Sequence, residues 1–208
     1  MNVRLAVAVA ALVTIQGCAT MDQEECLASD WHAIGFEDGA RGYPVDRIGQ
    51  HRKACADHGI APDLAAYRQG RDEGLRHYCT AQNGFNLGAK GSNYAGGCPE
   101  DLAADFAVAY GEGRRLHDLS HRVRGVDHRI AATERQVADL EKQIDVNEQT
   151  IIASDTNNFE RARLLLEIKE LVDQREDLED QLEHLQQERI VYQRELEDYR
   201  ETVAYIER

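Results

Sequence analysis

From Val123 onward the apolar residues recur every seven positions, a spacing suited to a helix that packs along one stripe against another helix. Val123, Ile130, Val137, Ile144 and Ile151 form one run, with Val126 and Leu140 in the companion register. Ser154-Asp155-Thr156-Asn157-Asn158 interrupts the pattern with turn and capping residues. A second run follows through Leu164, Leu171, Leu178, Leu185, Tyr192, Tyr199 and Ile206, and Ile168, Leu182, Leu196 and Val203 fill its other seam. Two helices of similar length joined by a short polar turn predict an antiparallel hairpin. With Pro99 to Ala153 as one arm and Asn157 to Glu207 as the other, each arm is about 75–80 Å long at about 1.5 Å per residue. That register sets Ile144 against Ile168, Leu140 against Leu171, Ile130 against Leu182, Phe106 against Ile206 and Gly113 against Tyr199. Gly111, Gly113 and Gly125 are candidate kinks in the first arm. The competing arrangement is a parallel oligomer of the second helix. Arg175 and Arg189 fall on the seam, where their long stems can snorkel to water.

The first residues read as an export signal rather than as part of the fold. A basic start ending at Arg4 precedes an apolar run from Leu5 to Ile15, shorter than the roughly 20 residues a permanent span needs. Ile15-Gln16-Gly17-Cys18 resembles a lipobox, with Cys18 the thiol that takes the lipid. Gln16 departs from the small residue usual at its place. An ordinary signal peptide, with Cys18 a bystander, is the alternative; a cysteine directly behind the apolar run favours lipidation. Several acyl chains of the palmitate class on one cysteine anchor stably, at about 0.8 kcal/mol per buried methylene. Ala19 follows where inner-membrane retention uses Asp, so resemblance to sorted Gram-negative lipoproteins implies an outer-membrane anchor facing the periplasm. The expected organisation is a signal peptide over 1–17, a lipidated tether over 18–25, a Cys/Gly-rich helical module over 26–122 and a hairpin over 123–208, with its turn near 154–158.

Four further cysteines, Cys26, Cys55, Cys79 and Cys98, form an even set, which in an exported chain reads as two disulfides. Three pairings are open. Cys26–Cys55 with Cys79–Cys98 is preferred because each bridge closes a local loop, contributing about 3 kcal/mol by restricting the unfolded chain. Around them the module reads as short helices broken by glycine. Glu24 to Arg41 is one, Asp46 to His58 ends at Gly59, and Pro62-Asp63 opens a third that runs to Tyr78. Thr80 to Gly97 is rich in Gly and Asn and is expected to be irregular. Pro99, with Glu100 and Asp101 behind it, starts the next helix.

Glycine recurs at helical spacing. Gly35-Phe36-Glu37-Asp38-Gly39, Gly70-Arg71-Asp72-Glu73-Gly74 and Gly84-Phe85-Asn86-Leu87-Gly88 each place two glycines on one helix face. Tyr67-Arg68-Gln69-Gly70-Arg71 reappears as Tyr110-Gly111-Glu112-Gly113-Arg114. A helical glycine costs about 1 kcal/mol relative to alanine, so repeated use wants a reason. One reason is close helix packing around Trp31, Tyr67 and Tyr110. The other is a groove, with Trp31, Gly35, Gly39, Tyr67, Gly70, Gly74, Tyr110 and Gly113 as its ligand surface. Together Trp31, the Gly35–Gly39 stretch, His51-Arg52-Lys53-Ala54-Cys55, Tyr67–Arg71, Tyr78-Cys79, Asn83-Gly84-Phe85 and Gly97-Cys98-Pro99 resemble the bacterial lipoprotein family DUF2799 over roughly Cys26 to Leu116. The resemblance implies an envelope lipoprotein and supplies no mechanism.

Net charge is −14 with no basic stripe, which argues against a nucleic-acid partner. Three prolines and 6% aromatic residues point to helix. His117 and His121, with His128 further along, lack a third metal ligand at convincing spacing, and in the set His51, Cys55 and His58 the cysteine is better used in a bridge. The acidic pairs Glu24-Glu25, Glu37-Asp38 and Asp72-Glu73 suit solvated helix faces, and no serine stands in a nucleophile elbow. Gly84 to Gly97 lacks the Gly-Lys-Ser/Thr ending of a phosphate loop. The expectation is therefore an all-α protein without catalytic residue, metal or cofactor. It is read as a membrane-anchored, non-enzymatic structural or interaction protein of the envelope. Its partners are membrane lipid through Cys18, an envelope protein or peptidoglycan, and itself where the coil self-associates. The alternative function is a module binding a small envelope molecule or glycan on its Gly/Tyr surface.

Overall fold

The computed structural model describes residues 22–94 and 96–204. The expected signal peptide, Cys18 and Ile206 lie outside them. Seven α-helices and no strand are present among the described residues: α1 Gln23–Ala28, α2 Trp31–Ala40, α3 Arg47–Ala56, α4 Leu64–Tyr78, α5 Ala81–Ala89, α6 Glu100–Ile152 and α7 Asn158–Val203. They group into two compact units that divide between Tyr78 and Cys79. The boundary drawn from sequence near 122 falls inside α6.

In the first unit the single helix expected from Glu24 to Arg41 is two. Asp22 and Glu25 close a capping box at the start of α1. Asp30 then accepts from the amides of His32 and Ala33 and starts a new helix. Its carboxylate competes for donors that a continuous helix would use, and the backbone breaks there. Asp63 caps α4 through the amides of Ala65 and Ala66. The Cys26–Cys55 bridge, Trp31 and Tyr67 form the core, with Ile34, Ile48, Ile60 and Ala66 packed around it.

Within that unit α2 and α4 meet backbone to backbone. A Cβ added at Gly35 would overlap the Tyr67 carbonyl, and one at Gly39 the Arg71 carbonyl. Reciprocally, Gly70 faces the His32 carbonyl and Gly74 the Phe36 carbonyl. Four glycines thus interlock across one seam, where no other residue fits.

The second unit repeats the device. Thr80 caps α5 by accepting from Asn83 N, so half of the stretch expected to be irregular is helix. The glycines that weaken its intrinsic propensity are the ones that let it approach α6. Gly84 faces the Phe106 carbonyl, Gly88 the Tyr110 carbonyl, and Gly113 of α6 faces the Phe85 carbonyl. Residues 90–94 and 96–99 carry the irregularity, with positive φ at Gly91, Gly96 and Gly97 and the Cys79–Cys98 bridge closing the segment.

α6 runs unbroken through Gly111, Gly113 and Gly125 and pairs antiparallel with α7 in the same chain. Leu140, Ile144 and Leu171 cluster with Ile168 and Leu178, in the expected register. Gly113 is the exception: it lies against α5, while the Tyr199 hydroxyl donates to the Glu112 carbonyl at 3.1 Å. Half-exposed ion pairs Arg122–Glu195, Arg129–Glu188 and Arg189–Asp127 line the flanks and serve register more than stability. At the turn, the Arg161 guanidinium donates to the carbonyls of Ala153 and Thr156, both at 2.9 Å, closing groups left open where α6 ends.

Two alanine substitutions separate seam from surface. Gly74→Ala should destabilise by about 2–4 kcal/mol, because helix backbones must part. Gly111→Ala, with open space around it, should stabilise by about 0.5–1 kcal/mol. Urea unfolding of the two variants measures both.

Candidate functional site

The glycine seams reveal an internal duplication. Gly35-Phe36-Glu37-Asp38-Gly39-Ala40-Arg41-Gly42 answers to Gly84-Phe85-Asn86-Leu87-Gly88-Ala89-Lys90-Gly91. Four contacts of the first pair have counterparts in the second, while Gly70 on His32 has none, because Ala109 stands at its place. Gly35 on Tyr67 matches Gly84 on Phe106, and Gly39 on Arg71 matches Gly88 on Tyr110. Gly74 on Phe36 matches Gly113 on Phe85, and Gly42 against the Tyr78 ring matches Gly91 against the His117 ring. Sequence had paired Tyr67 with Tyr110; space pairs Tyr67 with Phe106 and Arg71 with Tyr110. The misleading signal was a local Tyr…Gly-Arg likeness in a different register.

The duplication acts as a control on function, because one copy shows which side chains the packing needs. In the first copy Asp38 is only 5% exposed. The Tyr67 hydroxyl donates to its Oδ2 at 2.8 Å, His51 Nε2 stands 2.9 Å from the same oxygen, and Arg47 Nε lies 3.9 Å from Oδ1. Burial, and then the bond to Asp38, push the Tyr67 phenol well above its ordinary value. The second copy has Leu87 and Phe106 at the places of Asp38 and Tyr67, and still brings backbone against backbone at Gly84, Gly88 and Gly113. The charged set is therefore an addition to the frame. Asp38 and His51 were not singled out as a pair from sequence, although the Gly35 and Gly84 stretches, laid side by side, oppose Asp38 to Leu87.

Beside this cluster, the turn before α3, α3 itself and α4 enclose a cavity of about 450 Å³ with Tyr67 and Arg71 in its wall. Arg71 donates from one guanidinium nitrogen to the Tyr43 carbonyl at 2.9 Å. Its counterpart Tyr110 donates to the Ser92 carbonyl at 3.0 Å, the matching position.

The other predicted site residues lie as follows. Cys26, Cys55, Cys79 and Cys98 are bridged in the preferred pairing. Trp31 is a core residue edge-on to His51. Gly35, Gly39, Gly70, Gly74 and Gly113 are buried against neighbouring backbones, so the surface they form is closed to a ligand. Cys18 lies outside the described residues. His117 packs on Gly91 with Nδ1 at 3.3 Å from the Ala89 carbonyl, and among the described residues no three metal-ligand side chains gather.

A second kind of surface lies at the hairpin turn. Ile152 and Phe159 are each 81% exposed, and Val146, Leu165 and Leu166 also face water. Heptad packing leaves these side chains out of the seam.

These observations define an all-helical protein built on a duplicated, glycine-locked helix pair, whose second copy continues into a coiled-coil hairpin. Residues 30–115 match the family described as protein of unknown function, DUF2799, which supports membership of that family for this part of the chain. The match starts at the Asp30 cap of α2 and ends just past Gly113, so it spans both helix pairs. Neither a curated protein nor a solved structure matches the chain.

The duplication predicts how the buried cluster behaves. Asp38→Leu alone and Tyr67→Phe alone should each destabilise, and the double variant should lose less than their sum, with a coupling of about 1–3 kcal/mol. Because the folded Tyr67 phenol is raised, its contribution is intact below the unfolded tyrosine value near 10 and is lost as pH climbs through the folded one. Wild-type stability should thus fall more steeply than that of Tyr67→Phe above about pH 10. Denaturant midpoints across alkaline pH test this.

Proposed function

We propose that the protein is a lipid-anchored, non-enzymatic interaction protein of the cell envelope, held through Cys18 at the outer membrane and contacting a partner protein through the hairpin turn. The observation that carries the reading is the exposed apolar group of Ile152, Phe159, Leu165 and Leu166 at the end of two long paired helices. Single exposed apolar residues are ordinary, whereas several at one tip suit a protein surface. A glycan would call for polar groups and flat aromatic faces, so a protein partner fits better than peptidoglycan. The arms of α6 and α7 hold 53 and 46 residues. They reach about 70–80 Å, which is useful to a protein tied down at one end.

The tether is supported by the lipobox-like Ile15-Gln16-Gly17-Cys18 and by two disulfides, which suit an oxidising compartment. None of the described helices is long and apolar enough to cross a membrane. The buried Asp38 cluster engages its own partners, which fits a structural rather than a reactive role.

Cys18→Ser should move the protein from the membrane to the soluble envelope fraction and abolish incorporation of labelled fatty acid. A photo-crosslinker at Phe159 should capture one envelope protein, and Leu165→Ser with Leu166→Ser should abolish the capture. Membrane retention of the Cys18→Ser variant, or a capture indifferent to the tip substitutions, would show the reading to be wrong.

A further inference from the structure

The two helix pairs share their packing, yet the first buries a positive charge, at Arg71, where the second has the neutral Tyr110. Arg71 and Tyr110 occupy matching places and make the same tie to a loop carbonyl, Tyr43 in one case and Ser92 in the other. A neutral hydroxyl suffices for that tie. The guanidinium charge is surplus to it.

Arg71 is 8% exposed, and its Nε is buried without a hydrogen-bond partner. Among the described residues no carboxylate stands within ion-pair distance of it. A buried cation with an open donor is costly, and such groups persist where something else supplies the opposite charge. The cavity that Arg71 lines also receives Arg52 and Arg68, both exposed, while the apolar side chains of Val45, Ile48 and Leu64 form its remaining wall. Asp72 at the rim is the one carboxylate among the lining residues. The surrounding sequence is locally basic: residues 41–76 hold seven arginines and lysines against five acids, in a chain of net charge −14. In the second copy the place of Arg71 belongs to Tyr110, so the frame requires no such charge.

We propose that this cavity binds a small amphipathic anion, its carboxylate or phosphate taken by Arg71 with Arg52 and Arg68, and its apolar body laid against Val45, Ile48 and Leu64. Guanidinium forks match both oxyanions, and a mostly apolar cleft with a few placed polar groups is the usual form of a small-molecule site. The volume of about 450 Å³ admits a short acyl chain with its head group. The site is independent of the hairpin contact and of the lipid tether, and stands or falls without them.

Nuclear magnetic resonance titration of the full chain carrying Cys18→Ser, in detergent-free buffer, tests it with octanoate, octyl phosphate and neutral 1-octanol as probes. Octanoate or octyl phosphate should give saturable amide shifts confined to residues 45–72, and whichever binds more tightly names the head group. 1-Octanol should bind at least about tenfold more weakly. Arg71→Lys, which keeps the charge and loses the fork, should weaken the anion about tenfold or more. Arg52→Ala with Arg68→Ala, both on the surface, should weaken it several-fold, and this pair decides the matter if Arg71→Lys perturbs the fold. Octanol binding as tightly as the anions, indifference to the Arg52/Arg68 pair, or no saturable shift at 45–72 with either anion would each overturn the proposal.

Discussion

Everything in the first helix pair, and again in the second, depends on main chain touching main chain. Where Gly35, Gly39, Gly70 and Gly74 meet, each carbonyl of the facing helix occupies the place of a side chain. Such proximity brings long rows of atoms into dispersion contact and offsets the backbone entropy that glycine forfeits. It also leaves the seam no tolerance, since well-packed cores resist the addition of even one methyl group. The disulfides, the core around Trp31 and the capping aspartates all arrange helices whose separation the glycines have already set.

Duplication of that frame separates what the fold requires from what it merely carries. The second copy packs with Leu87 and Phe106 where the first buries Asp38 and Tyr67, and with Tyr110 where the first buries Arg71. A buried carboxylate must be held by several donors, and Asp38 of α2 gathers Arg47 and His51 from α3 and Tyr67 from α4. That convergence gives the first unit a polar centre with no equivalent in the second. Function is thus more readily sought where the two copies disagree.

The hairpin was legible because heptads speak through many residues at once, and its turn because Asn157 and its polar neighbours announce a cap. Its register held where leucines and isoleucines face one another, as at Leu140 and Leu171. It failed at Gly113, whose missing side chain serves α5 rather than the coil, a choice invisible to a reading of α6 and α7 alone. Helix α5 was illegible for a related reason: tertiary packing overrides the poor propensity of its two glycines. The charged cluster was hidden because Asp38, His51 and Tyr67 lie far apart in sequence and meet only when α2, α3 and α4 assemble. The break at Ser29-Asp30 was missed as well, since an aspartate ahead of a tryptophan can sit within a helix as well as start one.

The connectivity of the cross-links has a consequence for assembly. Among the four bridged cysteines, each is joined to the next along the chain, Cys26 to Cys55 and Cys79 to Cys98. A polypeptide threaded out from its amino end and oxidised as its thiols emerge reaches this pattern in order, with the first loop closed before Cys79 arrives. Such an arrangement keeps each bridge within its own unit, so either can close without waiting for the other.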